Sequence, residues 1–552
     1  MADSDSTNDV FDEIASEQAE TKARLTAAAD RMTVLGQGYG AERMTQGIPS
    51  DPQLSSEWHL TGTWGLHADL VWPDYTGAGI RLADFDDGFQ YTHPDLAPNY
   101  DTSLDRDVGS NDSDAAPATS DDNHGTAVMG VMIADDNGSG VVGVAFDATG
   151  VGIRQSFDYG TDAQTLQGFQ YALTAQVDVM NNSWGYTTPY SDNFAEVYSG
   201  VTLGDIGDAM QDLVEQGRGG LGTSIVFAAG NEGDVGDNVN YHNFQNSPYA
   251  ITVAAIDSSG HVASFSTPGA ALLVAAGGVG ILTTDRTSGG YESGSYATVD
   301  GTSFAAPAVS GVIALMLEAN PDLGWRDVQQ ILAYSAQRND PTSSGWQYNG
   351  ATNWNGGGLH FSHDYGFGAA DAFTAVRLAE LWNLQQTSAN MDTFTTATSS
   401  PNLQIRDNAT GSTTINVTQD IFIEHVQVHL DINHTWAGDL VVTLISPDGT
   451  ESVLVNRPGT QEAGDFSGSS MRGIDFTVAT NADWGESSLG TWTLQIEDAE
   501  RNDTGTLVSW NMTFLGHDQT ADDLYVYTNA LATFSGAELT ARSTVSDTDG
   551  GN

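Results

Sequence analysis

Apolar and polar positions follow two different periods along this chain, and the change of period divides it. Between residues 79 and 255, short apolar runs bounded by turn residues alternate with stretches of helical spacing. Residues 79–86, 151–153, 177–182, 224–229 and 249–255 predict buried strands, and residues 162–175 and 204–217 predict helices. Such alternation argues for an α/β domain: a parallel sheet flanked by helices. A long apolar helix then runs from Ser303 through Val309, Val312, Ile313 and Met316, stopping near Asn320-Pro321. A second carries Trp325, Val328, Ile331 and Leu332, and a third Ala372, Val376, Leu378 and Leu381. Residues 340–363, rich in Gly, Asn and Trp, predict a loop.

Beyond about residue 390 the helical period gives way to strict alternation. Ile421 and Ile423, then Val426, Val428, Leu430 and Ile432, then Leu440, Val442 and Leu444, and finally Trp492, Leu494 and Ile496 read as strand faces. Gly449, Gly490 and Gly505 punctuate them, the signature of an all-β sandwich. The expected organisation is a polar, disordered segment at 1–50 with a helical patch at Phe11, Ile14 and Leu25, and an α/β domain at 51–388. A sandwich at 389–517 and an acidic tail at 518–552 complete it.

Composition narrows the function classes. The 552 residues carry 17 basic and 73 acidic side chains, a formal net charge of −56. Lys22 is the only lysine. Such a surface repels nucleic acid and anionic membranes, and suits a medium whose cations screen it. There is no cysteine, so neither a disulfide nor a thiol nucleophile is available. No apolar run reads as long enough to span a bilayer, and the acidic N-terminus lacks a signal-peptide core. No nucleic-acid partner, no membrane insertion and a monomeric chain are expected.

Candidate chemistry sits at strand ends and helix starts. The first strand closes on Asp84-Phe85-Asp86-Asp87-Gly88, and His124-Gly125-Thr126 opens a small-residue helix. Ser183-Trp184-Gly185 and Gly230-Asn231 end two further strands. Gly301-Thr302-Ser303 precedes the long apolar helix. Alone, each has a plain structural reading: a turn acid, a packed histidine, a helix-capping serine. Together they form a full set for acyl transfer: a nucleophile (Ser303), a base (His124), an acid to orient it (Asp86) and an amide donor for an oxyanion (Asn231). The loop Asp135-Asp136-Asn137-Gly138-Ser139-Gly140-Val141 is rich in oxygen donors and reads either as a polar turn or as a calcium loop.

These motifs resemble those of the subtilases, specifically the kexin/furin branch. Asp86-Asp87-Gly88 with His93-Pro94-Asp95-Leu96 matches the aspartate segment, His124-Gly125-Thr126 the histidine segment, and Gly301-Thr302-Ser303 with Ala306-Pro307 the serine segment. The order acid, base, nucleophile is also that of subtilisin-type triads. His434-Thr435-Trp436-Ala437-Gly438-Asp439-Leu440 and Gly490-Thr491-Trp492 resemble the P (proprotein convertase) domain that follows kexin-type catalytic domains. The resemblance implies a subtilisin-like fold and a secreted endopeptidase acting on proteins or peptides through an acyl-enzyme. It implies Ca2+ held by the side chains of Asp51, Asp95 and Asn137 with carbonyls of Asp135, Ser139 and Val141. It also implies substrate contacts from Asp87, Ser183, Trp184 and Gly185.

The chain departs from that pattern in three places. Residues 1–50 are shorter and more polar than the family's inhibitory prodomain. Thr188 and His242 stand where kexins carry arginine-binding acids, leaving Asp87 as the retained acidic contact. The ending Asp547-Thr548-Asp549-Gly550 resembles the lead-in to calcium-binding repeats of proteins exported by a type I route, or else is an acidic linker. A catalytically dead scaffold that binds through its sandwich is the competing reading. An esterase of the α/β-hydrolase type fits poorly, because its serine precedes the other triad members.

Overall fold

The predicted alternation produces seven parallel strands: β1 (Arg81–Asp86), β2 (Arg106–Asp107), β3 (Thr149–Arg154), β4 (Val179–Asn182), β5 (Ser224–Ala228), β6 (Ala250–Ile256) and β7 (Val274–Gly277). Their order across the sheet is β2-β3-β1-β4-β5-β6-β7. The computed structural model describes residues 47–157, 159–196, 200–460, 468–518 and 524–544. The helical patch at Phe11, Ile14 and Leu25 and the Asp547–Gly550 ending lie outside them. By contacts the chain divides into a small unit, residues 1–48 and 72–74, and a large one that carries everything below.

Side-chain alternation gives β1 two different faces. Ala83 and Phe85 join a core with Phe169 and Ala172 of α2 (Asp162–Ala175) and Ile206, Met210 and Leu213 of α3 (Leu203–Gln216). Leu82, Asp84 and Asp86 face the other way. That side is covered by α1 (His124–Ile133) and the long α4 (Thr302–Ala319). At 18 residues α4 is long and apolar enough to cross a membrane, although the sequence showed no such run. The fold buries it between sheet and helices, which accounts for its lack of a polar face. Helices α5 (Trp325–Ser335) and α6 (Ala372–Leu381) follow as expected.

Three elements had escaped the pattern reading. Strand β7 is built from Ala and Gly with one Val, too small-residued to register as a strand. The hairpin of β8 (Ile281–Thr284) and β9 (Tyr296–Val299) hides in a Gly/Ser-rich stretch. Residues 340–363, expected as loop, contain the short pair Gln347–Tyr348 and His360–Phe361.

The C-terminal half folds into two antiparallel sheets. One orders Asp392–Thr395, Gly505–Asp518, Ile421–His434 and Ile474–Thr480, with Leu403–Ile405 added to Gly505–Asp518. The other orders Ala409–Val417, Gly490–Asp498, Leu440–Ile445 and Glu451–Asn456. Their inner faces share a core of Leu430, Leu444, Trp492, Trp510 and Phe514, which also takes in Tyr241 and Ala270 of the α/β domain. Part of the acidic C-terminal stretch returns to the α/β domain: Val526 N–H donates to Asn353 C=O at 2.9 Å, and Asn355 N–H donates to Val526 C=O at 2.8 Å.

One arginine joins the domains from a fully buried position. Arg326 on α5 donates through Nε to Glu424 Oε2 at 2.7 Å and through a terminal nitrogen to Glu424 Oε1 at 2.5 Å. Its remaining donors reach the carbonyls of Gly516 and Thr387 and the Asn390 side chain. Burying a charge pair is costly, and breaking one by removing a partner costs about 3–5 kcal/mol. Glu424→Leu is therefore expected to lower unfolding stability by that amount in chemical denaturation, while Arg326→Met with Glu424→Leu recovers most of it. A single variant with unchanged stability would contradict the assignment.

Candidate active site

The C-terminal ends of β1, β4 and β5 meet the N-terminal ends of α1 and α4 along one edge of the sheet. Asp86 is the last residue of β1 and is fully buried. Its Oδ1 accepts from the Asp87 N–H at 2.7 Å, and its Oδ2 lies 2.8 Å from His124 Nδ1. His124 begins α1, whose N-terminus approaches β1 so closely that a Cβ on Gly125 would lie 2.9 Å from Asp86 Cβ and 2.8 Å from the Gly88 carbonyl oxygen. Only glycine allows this approach. Asp87 closes the arrangement by accepting from the N–H groups of His124 (3.1 Å) and Gly125 (2.8 Å), two of the helix's unsatisfied donors.

Electrostatics in this pair follow burial. Loss of solvent lowers His124 below its ordinary value, with Asp87 and Asp84 pulling the other way. The ring is therefore neutral at neutral pH. The Asp86 contact assigns its proton to Nδ1, leaving the Nε2 lone pair to act as a base. Burial raises both carboxyls as well, Asp87 to about 7.

Ser303 lies in the first turn of α4 but does not cap it. Its Oγ donates to the Ser183 carbonyl at 3.3 Å, and no hydrogen bond yet joins it to His124. Pro307 has no N–H for the Ser303 carbonyl one helical turn back. The Ser183 hydroxyl supplies the missing donor at 2.8 Å. Beside Ser303, the Asn231 Oδ1 accepts from both the N–H and the hydroxyl of Thr302, each at 2.9 Å. That fixes the amide so that Nδ2 is its free end. The Ser303 N–H, in a turn where helical N–H groups lack intrahelical acceptors, is the natural second donor to an oxyanion.

Residues 77–368 match the subtilase family model, and residues 423–514 the proprotein convertase P-domain model. The chain belongs to the subtilase family. It is 32% identical over 489 residues to furin of Homo sapiens, covering 85% of this chain and 58% of furin. It is likewise 32% identical over 490 residues to protease KEX1 of Kluyveromyces lactis, covering 85% of this chain and 60% of that protein. The chain thus spans less than two thirds of the length of these relatives. The solved serine protease of Aeromonas sobria superposes with a TM-score of 0.73 at 25% identity, covering 87% of this chain and 97% of that one.

In this subtilase a cleft of ≈ 740 Å³ opens beside His124. Asp87, Ser183, Trp184, Gly185 and Thr188 all line it, as do several residues that the sequence reading passed over. Phe157 stands edge-on to the His124 ring with 6.0 Å between ring centres and is half exposed, as is Tyr291. Asp162 holds the Tyr186 hydroxyl at 3.3 Å. Outside that lining, Glu232, next to Asn231, accepts from the Asn231 N–H at 2.8 Å. None of these belongs to a recognisable motif; only their neighbourhood in the fold marks them.

His242 is not in the cleft. It is buried between Asp192 (3.2 Å from Nδ1) and Asp237 (3.0 Å from Nε2). Burial alone would lower it, but those two carboxylates outweigh burial and raise it to about 10. It is thus a fixed internal cation, and Asp237 serves it rather than the cleft.

A second cluster gathers the oxygen-donor loop. Asp51 accepts from Ser139 N–H at 2.9 Å and Gly138 N–H at 3.4 Å. Asp95 accepts from Asn137 Nδ2 at 3.2 Å and Val141 N–H at 3.3 Å. Asp135 N–H donates to the Asp95 carbonyl at 2.8 Å. A Cβ on Gly140 would collide with Asp95 Oδ2 and the Tyr296 hydroxyl, so the loop folds tightly over the two carboxylates. Glu57, unnoticed in the sequence, is buried here, accepts from Val142 N–H at 3.2 Å, and is raised by burial to about 9.

The direction of the His124 shift sets the pH dependence. A ring that is to serve as a base must be neutral, and a lowered value makes that form available at lower pH. On a neutral substrate, kcat/KM is expected to rise with pH through a midpoint below the ordinary 6.5 and to be level by pH 7. A midpoint above 7 would mean that the Asp86, Asp87 and Asp84 charges outweigh burial.

Proposed function

We propose that this subtilase is a serine endopeptidase that cleaves proteins or peptides through an acyl-enzyme. The observation that carries the reading is the convergence of Asp86–His124 and the Thr302-fixed Asn231 amide on the N-terminal turn holding Ser303. Ser303 Oγ turns from the Ser183 carbonyl toward His124 Nε2, gives up its proton there and attacks the peptide carbonyl carbon. The oxygen that gains the electron pair is met by Asn231 Nδ2 and the Ser303 N–H. His124 then passes its proton to the leaving amine, and the C–N bond breaks. Water repeats the sequence on the ester and frees the acid. A catalytically dead scaffold would have no need of this complete set.

Selectivity follows from the cleft. Thr188 offers no carboxylate, and His242 is buried away from the cleft as a cation. The charge-assisted pairing that would select arginine before the cut is therefore largely missing. Asp87, with Asp121 and Asp162 also in the cleft, favours at most a mild preference for basic residues upstream.

Calcium belongs to the same proposal. Asp51, Asp95 and the 135–141 loop supply two carboxylates, an amide and backbone carbonyls, a donor set suited to a hard oxygen-seeking cation. Among the described residues no three His, Cys, Asp or Glu side chains converge on a metal position, so backbone oxygens would complete the set. The side chains of Asp51, Asp95 and Asn137 with the carbonyls of Asp135, Ser139 and Val141 would hold the ion. Its charge would offset the burial and Asp136 repulsion that raise Asp51 to about 6. Action outside the cell, in a saline or calcium-rich medium, fits the net charge of −56.

Two experiments test the proposal. On a peptide library, Ser303→Ala should lose all cleavage and fluorophosphonate labelling while keeping its melting temperature. Asn231→Leu should lower kcat by about 10²–10³-fold, the range for losing one such donor in a related subtilisin. The wild-type profile should accept several residue types before the cut, whereas a strict requirement for paired basic residues would refute the selectivity argument. Separately, prolonged chelation should lower the melting temperature and open residues 51–60 to added protease, because an ion bound only by the native state stabilises it. An unchanged melting curve would count against the calcium site.

A further inference from the structure

Asp84, two residues before Asp86 on β1, takes no part in the chemistry above. It is fully buried. On a strand, residues two apart share a face, so its side chain lies on the Asp86 side of the sheet, about 6.6 Å further back. A carboxyl there is expensive, since its neighbours along the sheet are otherwise packed for apolar contact. In register it stands opposite Asn181 of β4 and Gly152 of β3.

Its one hydrogen bond starts a chain. Asn181 Nδ2 donates to Asp84 Oδ1 at 3.0 Å and to Ser183 Oγ at 2.9 Å. Asn181 Oδ1 accepts from Ser310 Oγ of α4 at 3.1 Å. The Ser183 hydroxyl, with its lone pair engaged by Asn181, points its proton at the Ser303 carbonyl, 2.8 Å away. That carbonyl needs an outside donor because Pro307 cannot provide the helical one. The strand bearing the catalytic acid is thereby tied to two turns of the helix bearing the nucleophile.

We infer that Asp84 is a positioning residue for the nucleophile: it fixes the Asn181 amide, and with it the Ser183 hydroxyl that holds the backbone of Ser303. The inference rests on Ser303 being the nucleophile. Without the Asp84 acceptor the Asn181 amide can turn over. Ser183 would then offer its proton to Asn181 instead, and the Ser303 carbonyl would lose its donor. The charged and titratable groups facing Asp84 are Asp86 and Asp87 on its own segment, His124 on α1, and Tyr100, whose hydroxyl donates to Asp105 at 2.7 Å. Burial, then the Asp86 charge, raises Asp84 well above the ordinary carboxyl range.

The test compares Asp84→Asn, Asp84→Leu and Asp84→Ala with wild type, with rates expressed per fluorophosphonate-titrated site so that misfolded protein drops out. Asn keeps an acceptor oxygen at the same place, and its kcat and KM should match wild type. Leu and Ala remove the acceptor and should lower kcat about tenfold or more with KM unchanged, as expected of a misplaced reacting group. Should Leu not fit the site, Ala provides the same comparison at smaller volume. Wild-type kcat in a folded Leu or Ala variant would overturn the inference. Failure of the wild-type chain itself to label would instead refute the proposed function.

Discussion

Burying the Asp86 carboxyl is the constraint on which the candidate active site depends. A carboxylate sealed from water is tolerable only if donors replace the water. Here the donors are its neighbour's N–H and the His124 ring. The ring reaches Asp86 because α1 starts hard against the end of β1, and the missing side chain of Gly125 permits that start. Asp87 then caps the same helix, so two adjacent acids serve one junction in different ways. The central position of β1, between β3 and β4, keeps the junction rigid.

The Ser303 side of the site is organised by a different omission. Proline in the second turn of α4 removes a backbone donor, and the Ser183 hydroxyl, one residue past β4, replaces it. The strand end carrying Ser183 is thus bonded to Ser303 in both directions, hydroxyl to carbonyl and carbonyl to hydroxyl. Thr302 does the corresponding work for Asn231. Ser303 and Asn231 are thus held by neighbours close in space.

The P domain bears on the segment that follows Asn231. Asn243 and Asn246 both donate to the Thr477 carbonyl at 3.0 Å, and Ala479 N–H donates to Asn240 Oδ1 at 3.0 Å. Tyr241 enters the sandwich core, and its hydroxyl accepts from Asn456 N–H at 2.9 Å. Within this braced segment His242 neutralises Asp192 and Asp237. In a chain with so few basic residues, a buried histidine cation and the fully engaged Arg326 compensate buried acids that lysines would serve elsewhere. These hydrogen bonds and the shared core join the two domains along the 240–246 segment.

Much was legible from the sequence. The strands at 79–86, 151–153, 177–182, 224–229 and 249–255 and the helices at 162–175 and 204–217 stand where apolar period and turn residues put them, because local burial patterns are written in local sequence. Asp86, His124, Asn231 and Ser303 were identifiable because each sits in a short, glycine-marked motif that local geometry demands. The small-residue strand β7, the β8–β9 hairpin, Glu57, Glu232, Phe157 and Tyr291 were not, since nothing adjacent to them in the chain distinguishes them. His242 stands, by resemblance, where kexins carry an arginine-binding acid, and the structure shows it buried between Asp192 and Asp237. Asp84 read as one more acid at a strand end. Sequence alone determined which groups could do the chemistry, through motif and period. The tertiary structure decided which of them face water and which face each other, because burial and long-range hydrogen bonds are set by strand order and by contacts between residues far apart in the chain.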